Sequence, residues 1–207
     1  MSTSDSAAPP RPPGQPSVWN VANLLTILRL LMVPVLGWVL LTWPDDRAMR
    51  WVATGIFVLA IATDAVDGRI ARRYNLVTDF GKLWDPIADK GITGMAFIGL
   101  SILGELPWWI TIVILVREWG ITVLRFAILK WGVMAANRGG KLKTVLQSVA
   151  ITMFLPGLHL LPSAWGLVAW VLLILALALT VLTGLDYLRE AARLRSAYHE
   201  THPEEKR

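Results

Sequence analysis

The sequence predicts an all-α integral membrane protein: six transmembrane helices, with the N- and C-termini cytoplasmic. Three observations carry that prediction. Hydrophobic residues make up 55% of the 207 residues and charged residues only 17%, against about 25% charged in an ordinary soluble domain. The apolar residues arrive in blocks of about 20, the length needed to cross a hydrocarbon core of about 30 Å. Finally, the basic residues collect on alternate connections between those blocks. The absence of cysteine excludes a disulfide scaffold, a thiolate metal centre and a cysteine nucleophile. Three scattered histidines (His159, His199, His202) offer no imidazole metal site. The net charge of +5 suits Lys and Arg facing anionic headgroups, so membrane lipids rather than nucleic acid are the expected partners.

Taken in order, residues 1–19 are Ser-, Ala- and Pro-rich and read as a disordered tail. The apolar segment behind it has no small-residue cleavage site, so it is kept as a span rather than a signal peptide. Residues 20–195 form the membrane domain, and residues 196–207 a polar tail. The expected helices cover residues 21–43, 51–72, 86–106, 108–129, 144–161 and 164–185, the sixth continuing as a charged stretch into the cytoplasm. The positive-inside rule sets the orientation. Arg72, Arg73, Lys82, Lys90, Lys130, Arg138, Lys141, Lys143, Arg189 and Arg193 fall on one side, and only Arg47 and Arg50, beside Asp45 and Asp46, on the other. Trp43, Trp51, Trp108, Trp109 and Trp165 then fall where an outer aromatic belt belongs.

The chemistry concentrates in residues 63–90, TDAVDGRIARRYNLVTDFGKLWDPIADK. Asp64 and Asp67 share a face at the inner end of the second helix, with Gly68 one turn beyond Asp64 and Ala71 one turn beyond Asp67. Asp85 and Asp89 share a face of the third, where Pro86 suits a helix's first turn. If the two helices are neighbours, four carboxylates converge at one membrane–water boundary and must be protonated or neutralised by cations. Two hard divalent ions such as Mg²⁺ or Mn²⁺ supply the charge and prefer oxygen ligands. Paired metals serve in-line displacement at phosphorus, so the cluster predicts phosphoryl-type transfer on a membrane substrate. The competing reading is that the aspartates cap helices and pair with Arg72, Arg73, Lys82 and Lys90. A metal-ion transporter is a second alternative, but the charges gather at one side, and the last two spans carry none. A catalytically inert scaffold is a third.

The pattern Asp64-x2-Asp67-Gly68-x2-Ala71-Arg72-x8-Gly81-x3-Asp85-x3-Asp89 resembles the signature of the CDP-alcohol phosphatidyltransferase family with every position filled. NLLTILR, holding Asn23, Thr26 and Arg29, is similar to that family's first-helix motif. DPIADK, REWGITVLR (Arg117 to Arg125), GGKLKT (Gly139 to Thr144) and TGLDY (Thr183 to Tyr187) look most like the members that make phosphatidylglycerophosphate. The resemblance implies a six-helix bundle, usually a homodimer, that transfers a phosphatidyl group from CDP-diacylglycerol to an alcohol and releases CMP. Here the acceptor would be sn-glycerol 3-phosphate, with inositol phosphate, inositol, serine or phosphatidylglycerol as alternatives. It further implies that Asp64 and Asp85 bridge two divalent cations, that Asp67 completes one site and Asp89 the other, and that Asp89 is the general base. Gly68, Ala71, Arg72, Thr78 and Gly81 would bind CDP-diacylglycerol, with Asn23 and Thr26 lining the nucleotide pocket. An inner-membrane site facing the cytoplasm would let lipid tails stay in the bilayer.

The acceptor's phosphate needs cations outside the metal pocket. Arg117, Arg125, Lys141 and Lys143 are the candidates. Arg117 lies deep in the fourth span and must find a carboxylate, water or phosphate, so a buried pairing with Glu118 or an aspartate is an equal alternative. Lys141 and Lys143 could instead snorkel to headgroups. Asp186 and Tyr187 are placed near the cavity, Tyr187 more readily as an interfacial anchor. His159 is assigned to the outer surface.

Overall fold

The computed structural model describes residues 21–73, 79–128 and 138–201, with side chains described outside 21–22, 65–73, 79–83, 125–126, 138–139, 141 and 197–201. Every regular element among them is helical: α1 Val21–Thr42, α2 Arg47–Arg73, α3 Asp79–Ile102, α4 Trp108–Ile128, α5 Arg138–Phe154 and α6 Ser163–Thr201. One 3-10 turn, Leu158–Leu160, joins α5 to α6.

Hydropathy marks where a helix becomes apolar, not where its hydrogen bonding begins, and the differences from expectation follow from that. α2 starts at Arg47 because the Asp46 carboxylate accepts a hydrogen bond from the Met49 backbone N–H at 2.9 Å, an N-cap that makes Arg47 to Arg50 the first turn. α3 starts at Asp79, so Pro86 lies inside the helix rather than in its first turn. Gly139 and Gly140 belong to α5, which starts six residues before the expected Thr144. Two glycines in left-handed backbone set the opposite ends. Gly104 (φ 74°) closes α3 while the Glu105 and Leu106 amides bond back to Leu100 at 2.9 and 3.2 Å. Gly157 (φ 87°), just after Pro156, follows the end of α5, seven residues short of the expected Leu161. α6 runs unbroken for 39 residues, about 58 Å at 1.5 Å per residue.

α1 packs along both α2 and α3, α5 along α6, and α4 joins the two groups through α3 and α6. The core between them holds Leu36, Leu40, Phe57, Phe97, Ile114 and Phe154, all fully buried. α1 and α3 approach closely at two glycines. A Cβ on Gly37 would lie 2.7 Å from Met95 Sδ, and one on Gly99 would lie 2.6 Å from Leu40 Cδ2. The outside of the bundle is apolar too: Leu31, Trp38, Leu59, Val116, Leu167 and Ile174 are all exposed. A monomer in water rarely presents so much apolar surface. Among the described residues, two helices are long and apolar enough to cross a membrane by length and composition, Asn23–Thr42 and Ser163–Ser196.

One end of the bundle is fastened by charge. Arg50, fully buried, donates to Glu105 Oε2 at 2.7 Å and to the Phe154 carbonyl at 3.2 Å. It thereby ties α2 to the α3–α4 turn and the end of α5. Arg50 was expected in a solvated connection; the Asp46 cap draws it into α2 and turns it inward. Arg47 donates to the Leu160 carbonyl at 2.6 Å. His159 lies at this end, 3.5 Å from Asp45. The five belt tryptophans are exposed there as well.

Candidate active site

The site is at the opposite end, and α1 organises it. Asn23, Thr26 and Arg29 recur every third residue, so they form a polar stripe on an apolar helix. All three are buried, with 2% exposure or less. Each of two stripe residues holds a carboxylate from a different helix. Thr26 Oγ1 donates to Asp85 Oδ1 of α3 at 2.5 Å, and Arg29 Nη1 donates to Asp64 Oδ1 of α2 at 2.6 Å. α2 and α3 themselves touch only lightly, and what links Asp64 with Asp85 is their hydrogen bonds to positions one turn apart on α1. Asp89, one turn past Asp85, lies within electrostatic reach of Asp64, Arg29, Glu118 and Lys90. Lys90 donates to Thr122 Oγ1 and sits 5.5 Å over the Trp119 ring.

Asp67, Gly68, Ala71 and Arg72 lie on the helical backbone of α2, and Gly81 on that of α3. Their side chains, Thr78 altogether, and the side chains of Arg125 and Lys141 fall outside the described residues. Among the described residues no three His, Cys, Asp or Glu side chains group closely enough to hold a metal ion. The donor chemistry nevertheless fits a hard divalent cation. Asp64, Asp85 and Asp89 are all carboxylates, none fully buried, and oxygen ligands are what Mg²⁺ and Mn²⁺ take. Asp67 is three residues beyond Asp64 on the helical backbone of α2.

A second polar group lies beside Asp89, between α4, α5 and α6. Glu118 Oε1 accepts from Arg117 Nη1 at 3.0 Å and also from Lys143 Nζ. Arg117 donates further to Thr183 Oγ1 at 2.8 Å and packs 5.8 Å from the Tyr187 ring. Lys143 and Tyr187 are buried. Lys143 is therefore no headgroup anchor, and Tyr187 is no interfacial one. Asp186 points outward, 3.9 Å from Arg189. Sequence reasoning did not assign site positions to Arg29, Glu118 or Thr183. For Arg29 the signal was present, in the three-residue repeat of polar positions along α1.

A model of the CDP-alcohol phosphatidyltransferase family matches residues 19–182, which span the α1 stripe, all four aspartates and Arg117, Glu118 and Lys143 of the second polar group. The chain belongs to that family. It is 49% identical over 183 residues to a probable phosphatidylglycerophosphate synthase of Mycobacterium tuberculosis, covering 87% of this chain and 85% of that one. It is also similar to two proteins named CDP-diacylglycerol–glycerol-3-phosphate 3-phosphatidyltransferase. One, from Rickettsia typhi, is 38% identical over 82% of this chain and 96% of its own. The other, from Bacillus subtilis, is 36% identical over 82% of this chain and 94% of its own.

Proposed function

We propose that this phosphatidyltransferase transfers the phosphatidyl group of CDP-diacylglycerol to sn-glycerol 3-phosphate, giving phosphatidylglycerophosphate and CMP. The observation that carries the reading is the α1 stripe holding Asp64 and Asp85 from two helices next to a cationic group of the kind a phosphorylated acceptor needs. The names of the relatives support the choice of donor and acceptor. The chain crosses the inner membrane six times with both termini cytoplasmic, works as a homodimer, and opens its site to the cytoplasm. Lipid tails then stay in the bilayer while the soluble acceptor enters from water.

Asp64, Asp67, Asp85 and Asp89 hold two divalent cations, Mg²⁺ or Mn²⁺. Bound there, the cations supply charge stabilisation to the pyrophosphate and to the departing CMP. The acceptor hydroxyl oxygen forms a bond to the lipid-side phosphorus, the bond from that phosphorus to the CMP oxygen breaks, and Asp89 takes the hydroxyl proton. Gly68, Ala71, Arg72, Thr78 and Gly81 embrace the nucleotide, with Asn23 and Thr26 behind it. Thr26 also orients Asp85, and Arg29 orients Asp64. Arg117 and Lys143, joined by Arg125 and Lys141, receive the acceptor phosphate.

The test is CMP release by purified protein given CDP-diacylglycerol, Mg²⁺ or Mn²⁺, and glycerol 3-phosphate, inositol phosphate, inositol, serine or phosphatidylglycerol in turn. Glycerol 3-phosphate is expected to support turnover best. Turnover with inositol phosphate and none with glycerol 3-phosphate would overturn the acceptor assignment.

A further inference from the structure

We infer that Glu118 is a positioning residue for the acceptor, fixing Lys143 and Arg117 as one preorganised cationic unit beside Asp89; this role rests on the reaction proposed above. This carboxylate joins α4 to α5, and Arg117 carries the connection on to α6. Glu118 is on α4, next in sequence to Arg117, and one of its oxygens accepts from both Arg117 and the α5 lysine. Neither cation is free to reorient. Arg117 is pinned on its other side by Thr183 of α6, and Gly184 leaves no room, since a Cβ there would lie 3.3 Å from Arg117 Cγ. Lys143 keeps only 3% of its surface exposed, so without Glu118 its ammonium loses that carboxylate in a dry setting, at a cost that neutralisation or withdrawal relieves.

The sum of charges is what selects the ligand. Two cations share one carboxylate, leaving a net single positive charge rather than a closed neutral pair. Thr122, one turn beyond Glu118, donates to the Glu118 carbonyl at 3.0 Å and accepts from Lys90, the residue after Asp89. The cationic unit and the candidate base are therefore held through the same turn of α4. A phosphate seated on Lys143 and Arg117 places the rest of the acceptor at a fixed distance from Asp89. A carboxylate that merely filled the site until phosphate displaced it would give the opposite sign. Removing it would then tighten acceptor binding.

The experiment measures kcat and both KM values for the full chain in lipid nanodiscs, following CMP release. Glu118→Gln is expected to raise the KM for glycerol 3-phosphate about tenfold, the order for one disrupted charge-assisted contact. Its kcat should change by less than about threefold and its KM for CDP-diacylglycerol by less than about twofold, as for a loss confined to acceptor binding. Glu118→Asp should recover part of the loss. Thr183→Val frees the other side of Arg117 without changing charge, and it should raise the same KM by a smaller factor; it decides the matter if Glu118→Gln does not fold. An unchanged or lowered acceptor KM in Glu118→Gln, or an equal rise in both KM values, refutes the role while leaving the reaction standing. A wild-type chain that releases no CMP with glycerol 3-phosphate overturns both.

Discussion

The Arg50–Glu105 fastening allows a prediction in which stability and chemistry separate. Arg50 is wholly buried, and its Nη2 donates to Glu105 and to the Phe154 carbonyl. Its Nε and Nη1 find no hydrogen-bond partner among the described residues. The Glu105 carboxylate is thus the anion that compensates the guanidinium. Breaking one half of such a buried pair costs about 3–5 kcal/mol. Glu105→Gln retains an acceptor oxygen while removing the charge, which places the expected loss near the lower bound, about 3 kcal/mol. At about 2–4 °C per kcal/mol for a chain of this size, Tm should fall by about 6–12 °C. Thermal unfolding in nanodiscs, followed by tryptophan fluorescence, measures this directly. The pair lies at the end of the bundle away from Asp64, so kcat and both KM values at low temperature should stay within about twofold of wild type. Adding Arg50→Met should recover about 1 kcal/mol or more, because no uncompensated charge is left behind. A Tm within about 1 °C of wild type for Glu105→Gln, or a double variant less stable than the single one by the full sum, would refute the reasoning.

Other outcomes follow from the same structure. Asp89→Asn should lower kcat at least about a hundredfold, the scale of losing a general base, while thermal unfolding stays near wild type; a loss under about tenfold counts against that role. Gly157→Ala places a side chain on left-handed backbone with Arg50 Nε and His159 Cε1 only 3.3 and 3.2 Å from its Cβ. Its unfolding free energy should drop by about 1–3 kcal/mol with activity retained. Removal of divalent ions by a chelator should abolish CMP release, and Mg²⁺ or Mn²⁺ should restore it; turnover that persists in chelator contradicts the metal assignment.

Much of this architecture was legible in the sequence because hydropathy and spacing report it. Each of the six α-helices among the described residues overlaps one apolar block, two of them long and apolar enough to cross a membrane, and the aspartate spacing on α2 and α3 is preserved by unbroken helical backbone through Asp64 to Arg73 and Asp79 to Asp89. Helix ends were harder to read. Asp46 caps α2 with a single hydrogen bond, and Pro86 and Gly139 sit inside helices because polar turns continue hydrogen bonding where apolar character has stopped. Tertiary partners were hidden for a different reason. Arg29 finds Asp64 35 residues away, and Glu118 finds Lys143 25 residues away. No local pattern specifies which helices will be neighbours. The spacing of Asn23, Thr26 and Arg29 told which side of α1 is polar, yet only packing shows that this side carries aspartates from two other helices.

The proposed chemistry depends on Asp64, Asp67, Asp85 and Asp89 gathering around a shared pair of divalent cations. Anomalous diffraction at the manganese edge, from crystals of the full chain grown with Mn²⁺ and a non-reacting CDP-diacylglycerol analogue, addresses it most directly. Two peaks per chain are expected, about 3.5–4 Å apart, each flanked by carboxylate oxygens from both α2 and α3. A map with no manganese between these helices, or with the four carboxylates turned away from whatever manganese is bound, would contradict it.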